Sequence, residues 1–198
     1  MALIDGILAR GAANHSTFGE GTFGCPPLFS TPRMKPITSL APNEVFTFGS
    51  NRSGFHGAGA AGFACRGTAL NTWRTDPWFQ TARHSPVGSP ARVGKWAVFG
   101  VARGFQVGRE GMSYAIETIR EAGVKRSTPL SEIQAQFVEL FRFANTRIDL
   151  RFLLTPVGVG LSGWTAPEMA ACLSAAMRQH PVPGNVIIPS DIYSNYRF

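Results

Sequence analysis

Two segments of this 198-residue chain run from an apolar strand through a glycine-rich loop into a helix, and this repetition limits the folds available to it. The first, residues 46–64, reads FTFGSNRSGFHGAGAAGFA, and the second, residues 152–170, reads FLLTPVGVGLSGWTAPEMA. Strands that alternate with helices form largely parallel sheets, because each helix returns the chain to the edge where the strand began. The sequence therefore predicts an α/β sandwich with a mostly parallel central sheet.

Hydrophobic periodicity predicts the other elements. A strand opens at residues 44–48, one or two strands lie within residues 95–118, and a short strand lies within residues 185–193. The run LRFLLTPVGVG, residues 150–160, is continuously apolar, which is typical of a strand covered on both faces.

Two helices carry start signals. In the helix predicted over residues 130–147, Ser131 and Gln134 have the spacing of a capping box. In the helix after the second glycine loop, Thr165 is the predicted N-cap and Glu168 follows three residues later.

Composition changes along the chain predict its domain organisation. Residues 1–43 are rich in Gly, Pro, Ser and Thr and are predicted to form an irregular arm with one short helix near residues 4–13. Residues 44–198 form the predicted domain, in which residues 74–95 are a surface insertion.

Charge and cysteine content narrow the functional classes. The net charge of +7 favours an anionic partner, and on charge alone a nucleic acid qualifies, although the basic residues form no run. Three widely spaced cysteines suit a reducing cytoplasm, and no apolar stretch predicts a membrane span or a secretory leader. The histidines are too scattered to predict a metal site, no cofactor is expected, and the sequence fixes no oligomeric state.

The glycine loops suit phosphate binding, because glycines let backbone N–H groups approach phosphate oxygens and a following helix N-terminus adds positive potential. Neither loop has the Walker or the dinucleotide-binding spacing. Tight turns and close helix packing are the alternative explanation of the same glycines.

Together with their flanks, the loops resemble a known family. FTFGSN with GFHGAGAA resembles the first ligand loop of macrodomains, and TPVGVGLSGWTAPEMA resembles their phosphate-cradling loop. SYAIET followed by PLSEIQAQFVELFRFA resembles the intervening strand and helix of macrodomain-like proteins of bacteria and phages. The resemblance covers residues 44–190 and implies a three-layer α/β/α sandwich with a mixed, mostly parallel sheet.

The resemblance implies a ligand, ADP-ribose or an ADP-ribosylated substrate, and residues that hold it. Asn51 would bind the distal ribose, the loop of residues 158–163 would wrap the diphosphate, and Trp164 would cover the far side of the ligand. The full set of implied ligand-binding residues is Gly49, Ser50, Asn51, Gly57, Ala58, Gly59, Ala60, Gly158, Val159, Gly160, Leu161, Ser162, Gly163 and Trp164.

Catalysis is the less determined part of the hypothesis. His56 is the candidate general base, with Asn51 positioning the ribose, and the alternative for His56 is a residue that only shapes the loop. Relatives with a Lys nucleophile and a loop Asp are not matched, because Ser162 takes the Asp position and Glu117 and Arg120 stand where a Lys is expected. We therefore expect hydrolysis of an ADP-ribosyl adduct or an ADP-ribose phosphate ester, or, as the alternative, a non-catalytic reader of the same nucleotide.

Several further side chains have two interpretations. Trp73, Trp78 and Phe79 are candidates to stack on adenine or to bury a neighbouring loop. Cys65, in a small apolar setting, is predicted to pack rather than react, and Asp191 is either a turn residue or a contact to the ligand.

Overall fold

A computed structural model describes residues 36–189, so the short helix predicted near residues 4–13 and Asp191 lie outside the described residues. The elements in chain order are β1 (Glu44–Asn51), α1 (Gly59–Arg66), α2 (Pro77–His84), a 3-10 turn (Pro90–Arg92), β2 (Gly104–Val107), β3 (Met112–Ile119), α3 (Leu130–Thr146), β4 (Arg151–Leu154), α4 (Ala166–Gln179) and β5 (Val186–Ile187). None of these helices is long and apolar enough to cross a membrane.

The strands form one five-stranded sheet in the order β2-β3-β1-β4-β5. The central strand β1 is parallel to both β3 and β4, and β4 is parallel to β5. The edge strand β2 is antiparallel to β3. The prediction of a mixed, mostly parallel sheet is therefore confirmed.

Helices cover both faces of the sheet. Val45 of β1 packs into a buried cluster with α3 and α4, whereas Phe46 and Phe48 pack with α1 and Trp96 on the other face. The predicted three-layer α/β/α arrangement is therefore confirmed. The prediction that strand β4 is covered on both faces is wrong for one face. Phe152 and Leu154 are buried, but the other face of β4 is partly exposed, because the α1 layer packs over β1 and β3.

The N-cap predicted from the sequence is confirmed for one of the two helices. Thr165 caps α4: its side chain accepts a hydrogen bond from the Glu168 N–H, and the Glu168 carboxylate accepts one from the Thr165 N–H. The prediction of Ser131 as the cap of α3 is wrong, since this helix starts at Leu130 with Pro129 at the N-cap. Pro129 cannot continue a helix but can offer its carbonyl, which accepts the N–H of Ile133 at 3.2 Å.

The segment predicted as a surface insertion, residues 74–95, packs against its neighbours through a small buried cluster. Phe79 and Ala82 of α2 are fully buried, and Phe99 packs with them. Its assignment as an insertion and the domain boundary at residue 44 stay predictions.

The buried cysteines fit the packing interpretation. Cys65 lies in the cluster under α1 and Cys172 lies in the cluster between α3 and α4, and both are free thiols. Burial raises the pKa of the Cys65 thiol, and it raises that of Cys172 to about 12.

A buried side chain replaces a missing strand at the outer edge of β3. Strand β2 ends its pairing at Ala115, which leaves the backbone of Glu117 without a strand partner on that side. Gln136 of α3 supplies the partner: its Oε1 accepts the Glu117 N–H at 2.7 Å and its Nε2 donates to the Glu117 carbonyl at 3.0 Å. This amide links α3 to the strand end next to the glycine loops.

We predict that Gln136→Leu lowers the free energy of unfolding by about 2–4 kcal/mol, because it leaves a buried N–H and a buried C=O unpaired. Urea denaturation measures the loss. Gln134→Leu, two residues earlier and partly exposed, is the matched control and should stay within about 0.5 kcal/mol of the parent chain. Equal stability of the two variants would contradict the role of Gln136.

Candidate functional site

A cavity of about 680 Å³ opens at the carboxyl ends of β1, β3 and β4. The first loop, residues 49–60, forms one wall and the second loop, residues 156–164, forms another, so the structure brings the two glycine loops together. The implied ligand-binding residues that line the cavity are Gly49, Ser50, Asn51, Gly57, Ala58, Gly59, Ala60, Gly158, Val159, Leu161 and Ser162. Gly160, Gly163, Trp164 and His56 do not line it.

Close packing within the protein, and not a ligand, accounts for some of the glycines. A Cβ at Gly49 would lie 3.3 Å from the amide nitrogen of Gly158, and a Cβ at Gly54 would lie 2.4 Å from the carbonyl carbon of Gly100. Gly59 differs, because its φ is +60° and a Cβ there would meet nothing within 4 Å. Close packing therefore accounts for Gly49 and Gly54, and the open side of Gly59 faces the cavity that it lines.

Asn51 closes the first loop. Its Oδ1 accepts hydrogen bonds from the Phe55 N–H at 2.9 Å and the Ser53 hydroxyl at 2.8 Å, and its Nδ2 donates to the Phe55 carbonyl at 2.6 Å. This loop-closing role was not found from the sequence, although Asn is a residue that commonly bonds nearby backbone. Contact between Asn51 and a ribose stays a prediction.

Arg66, the last residue of α1, fixes a peptide group of the first loop from behind. Its side chain is 1% exposed, and its Nη2 binds the Gly57 carbonyl at 2.9 Å. In a planar trans peptide the C=O and the next N–H point in opposite directions. The Ala58 N–H therefore points away from Arg66, and Ala58 is one of the residues that line the cavity.

The first turn of α1 adds further donors at the same wall. Ala58 occupies the N-cap without a side-chain hydrogen bond, and the first turn has no acidic residue. Ala60 and Ala61 of this turn line the cavity. An uncapped helix N-terminus leaves N–H groups and positive potential that favour an anion.

The second loop also turns its carbonyls inward. The Gly158 carbonyl accepts the hydroxyl of Ser162, and the Gly160 carbonyl accepts the Gly163 N–H at 2.9 Å. By the same planarity, the Leu161 N–H points away from the Gly163 N–H, and Leu161 is one of the residues that line the cavity. In each glycine loop a carbonyl is thus bound within the protein, and the amide that follows it belongs to a residue that lines the cavity.

The structure contradicts the placement implied for Trp164. The indole packs against the core between α3 and α4, and the guanidinium of Arg126 lies 4.9 Å from the centre of its ring. The indole therefore lies behind the second loop, because the loop directs it toward the apolar core rather than over the cavity. Gly160 and Gly163 serve the turn itself.

The structure also contradicts the role of general base for His56. Its imidazole is fully buried, its Nε2 lies 3.1 Å from the Val101 carbonyl, and its ring packs edge-on against Phe48 at 5.3 Å. Burial lowers the pKa of His56 from 6.5 to about 4, against the opposing effect of backbone hydrogen bonds. His56 is a neutral side chain that holds the first loop against residues 98–101.

The charged side chains that line the cavity are guanidinium groups. Arg52 lies 3.3 Å from the carboxylate of Glu117, and Arg120 forms an ion pair with Glu132. Among the described residues that line the cavity there is no carboxylate, imidazole, thiol or amine. The only charged side chains among these lining residues are therefore two arginines, each paired with a carboxylate that does not line the cavity.

The aromatic candidates separate in the structure. Trp73 lines the cavity together with Phe55, and their rings meet edge to face at 4.9 Å. Phe79 is fully buried and Trp78 packs beside it, so these two bury a neighbouring loop, as the alternative interpretation predicted.

Comparison with known proteins gives similarity in structure alone. No family model matches the chain, and no curated protein sequence matches it. The macrodomain of Mycobacterium tuberculosis DarG is 22% identical over 81% of this chain and 97% of its own, with a TM-score of 0.47. A mutant of the Oceanobacillus iheyensis macrodomain is 14% identical over 80% of this chain and 85% of its own, with a TM-score of 0.45.

We predict that His56 makes the folded state sensitive to acid. Between pH 6.5 and about pH 4 the unfolded chain binds a proton that buried His56 does not accept, so stability is lost as pH falls through this window. The loss attributable to His56 is at most about 3 kcal/mol. Denaturation of the parent chain and of His56→Gln from pH 7 to pH 4 measures it, and parallel curves would refute the prediction.

Proposed function

We propose that this chain binds ADP-ribose or an ADP-ribose derivative in the cavity between the two glycine loops. One observation carries the proposal: in each loop a carbonyl is bound within the protein, and the amide that follows it, of Ala58 or of Leu161, belongs to a cavity-lining residue. Two walls of N–H donors suit a group with two linked negative charges, as in a diphosphate.

The rest of the cavity supports a nucleotide sugar rather than a bare diphosphate. Its volume of about 680 Å³ lies within the usual range for small-molecule sites. Ser50, Thr118, Ser162 and Trp73 are among the residues that line it. Each of the three hydroxyls donates to a carbonyl of the chain and keeps lone pairs that can accept from sugar hydroxyls, and Trp73 adds an apolar surface. The resemblance of the loops to those of macrodomains selects ADP-ribose among such ligands.

Binding without turnover is the form of this function that the side chains favour. His56, the candidate base, lies behind the first loop, and the hydroxyl of Ser162 donates to the Gly158 carbonyl. A chain that holds the diphosphate with amides and Arg52 and Arg120 would act as a reader of the nucleotide. Hydrolysis of an ADP-ribosyl adduct or a phosphate ester is the second candidate, with water activated by the phosphate of the substrate.

Ala60→Asp tests the site with little risk to the fold. An Asp in the first turn of α1 stabilises the helix by about 0.3–1 kcal/mol, so the melting temperature should not fall. At an effective dielectric constant of about 20, a carboxylate about 5 Å from a phosphate costs roughly 3 kcal/mol, so ADP-ribose affinity should fall about 100-fold. Calorimetry measures both variants, and the neutral control Ala60→Ser should bind like the parent chain.

Absence of ADP-ribose heat from the parent chain, or equal binding by Ala60→Asp, would refute the proposed site. Turnover is tested separately by incubation with ADP-ribosylated protein and with ADP-ribose 1″-phosphate. We expect both ligands to remain intact, and release of ADP-ribose from either would support the hydrolytic candidate.

A further inference from the structure

Arg126 has an unusual backbone conformation behind the second loop. Among residues 36–189 it is the only non-glycine residue with a positive φ, at 57°. L-residues other than Asn and Asp seldom adopt this conformation, and where they do the surrounding contacts hold them in it. Arg126 lies in a turn and does not line the cavity, and its hydrogen bonds are with the second loop and the start of α4.

The contacts of Arg126 are with the C-terminal end of the second loop and the first turn of α4. The Arg126 N–H donates to the Ser162 carbonyl at 2.7 Å, and its Nε donates to the Gly163 carbonyl at 3.1 Å. Its Nη2 lies 3.0 Å from the Glu168 carboxylate, and the guanidinium stacks over Trp164. The left-handed backbone thus lets one residue bind two consecutive peptide groups with its main chain and its side chain.

The main-chain bond from Arg126 to Ser162 is connected, through a second hydrogen bond, to the peptide group of Leu161. The peptide that joins Ser162 to Gly163 accepts from Arg126 and donates from Gly163 to the Gly160 carbonyl at 2.9 Å. The peptide that joins Gly160 to Leu161 is thereby held with its carbonyl toward Gly163 and its N–H pointing the opposite way. Arg126 is linked to the Leu161 amide through two peptide groups in series.

We propose that Arg126 is a positioning residue that sets the orientation of the diphosphate-binding amide of Leu161 from outside the cavity. The proposal rests on the proposed function for its ligand. In this role Arg126 raises the affinity for the ligand by orienting the Leu161 amide. It neither contacts the ligand nor attracts it by charge. The link to Leu161 starts at the Arg126 backbone N–H, and the guanidinium keeps that N–H in place by binding groups on either side of it. A planar fork is needed for this, because only a fork can serve the Gly163 carbonyl, the Glu168 carboxylate and the Trp164 ring together.

Three variants separate positioning from charge. Arg126→Gly removes the side-chain contacts that anchor the backbone N–H on the Ser162 carbonyl, while glycine can still adopt the left-handed conformation, so the fold should be retained. Arg126→Lys keeps the charge and loses the fork, and Lys125→Gln removes one charge from the neighbouring exposed residue. We expect ADP-ribose affinity to fall at least tenfold in both Arg126 variants and less than twofold in Lys125→Gln, with similar melting temperatures in all.

Amide hydrogen exchange of the free protein provides a readout that needs no ligand. We expect faster exchange over residues 158–164 in Arg126→Gly, with exchange in β1 and β3 unchanged. Unchanged exchange, retained affinity in Arg126→Lys, or equal affinity of Arg126→Gly and the parent chain would each overturn the positioning role. A parent chain that does not bind ADP-ribose, with exchange altered as expected, would overturn the ligand and leave the link between Arg126 and the loop intact.

Discussion

The planarity of the peptide group is the constraint on which this site depends. A peptide that turns its carbonyl into the protein must turn the following N–H the other way, so a wall of backbone can be made attractive to anions without any cationic side chain. In this chain the Gly57 carbonyl is bound by Arg66 and the Gly160 carbonyl by the Gly163 N–H. The parallel sheet then places both walls at one edge, since β1 lies between β3 and β4 and all three strands end there.

The two arginines that hold these walls differ in cost and exposure. Arg66 is buried and shares its guanidinium between the first loop, the Leu70 carbonyl and the carboxylate of Asp76, so removing it would leave the buried Gly57 carbonyl unpaired. The Arg126 side chain is half exposed, and only its backbone conformation is strained. A substitution of Arg126 can therefore alter the second loop without disrupting the core. Arginine therefore acts here through main-chain geometry as well as through charge.

Glycine in the loops has more than one cause. Gly49 is small because the second loop approaches it, and Gly54 because residues 100–101 do, whereas Gly59 has open space beside it. The small residues therefore first allow the two loops and the α1 layer to pack closely, and that packing creates the cavity. Two polar side chains of the first loop also serve its shape: Asn51 and His56 hydrogen-bond to backbone groups and hold the loop in place.

The sequence by itself determined the layered α/β fold, the two glycine loops and the capped start of α4 at Thr165, because periodicity, glycine runs and capping boxes are local patterns. Only the tertiary structure decided the roles of individual side chains in the site. Burial makes His56 a neutral packing residue, the core withdraws Trp164 from the cavity, and Arg66 and Arg126 bind the loops. These roles depend on groups distant in sequence, such as Val101 beside His56 and Gly163 beside Arg126, which no local pattern brings together.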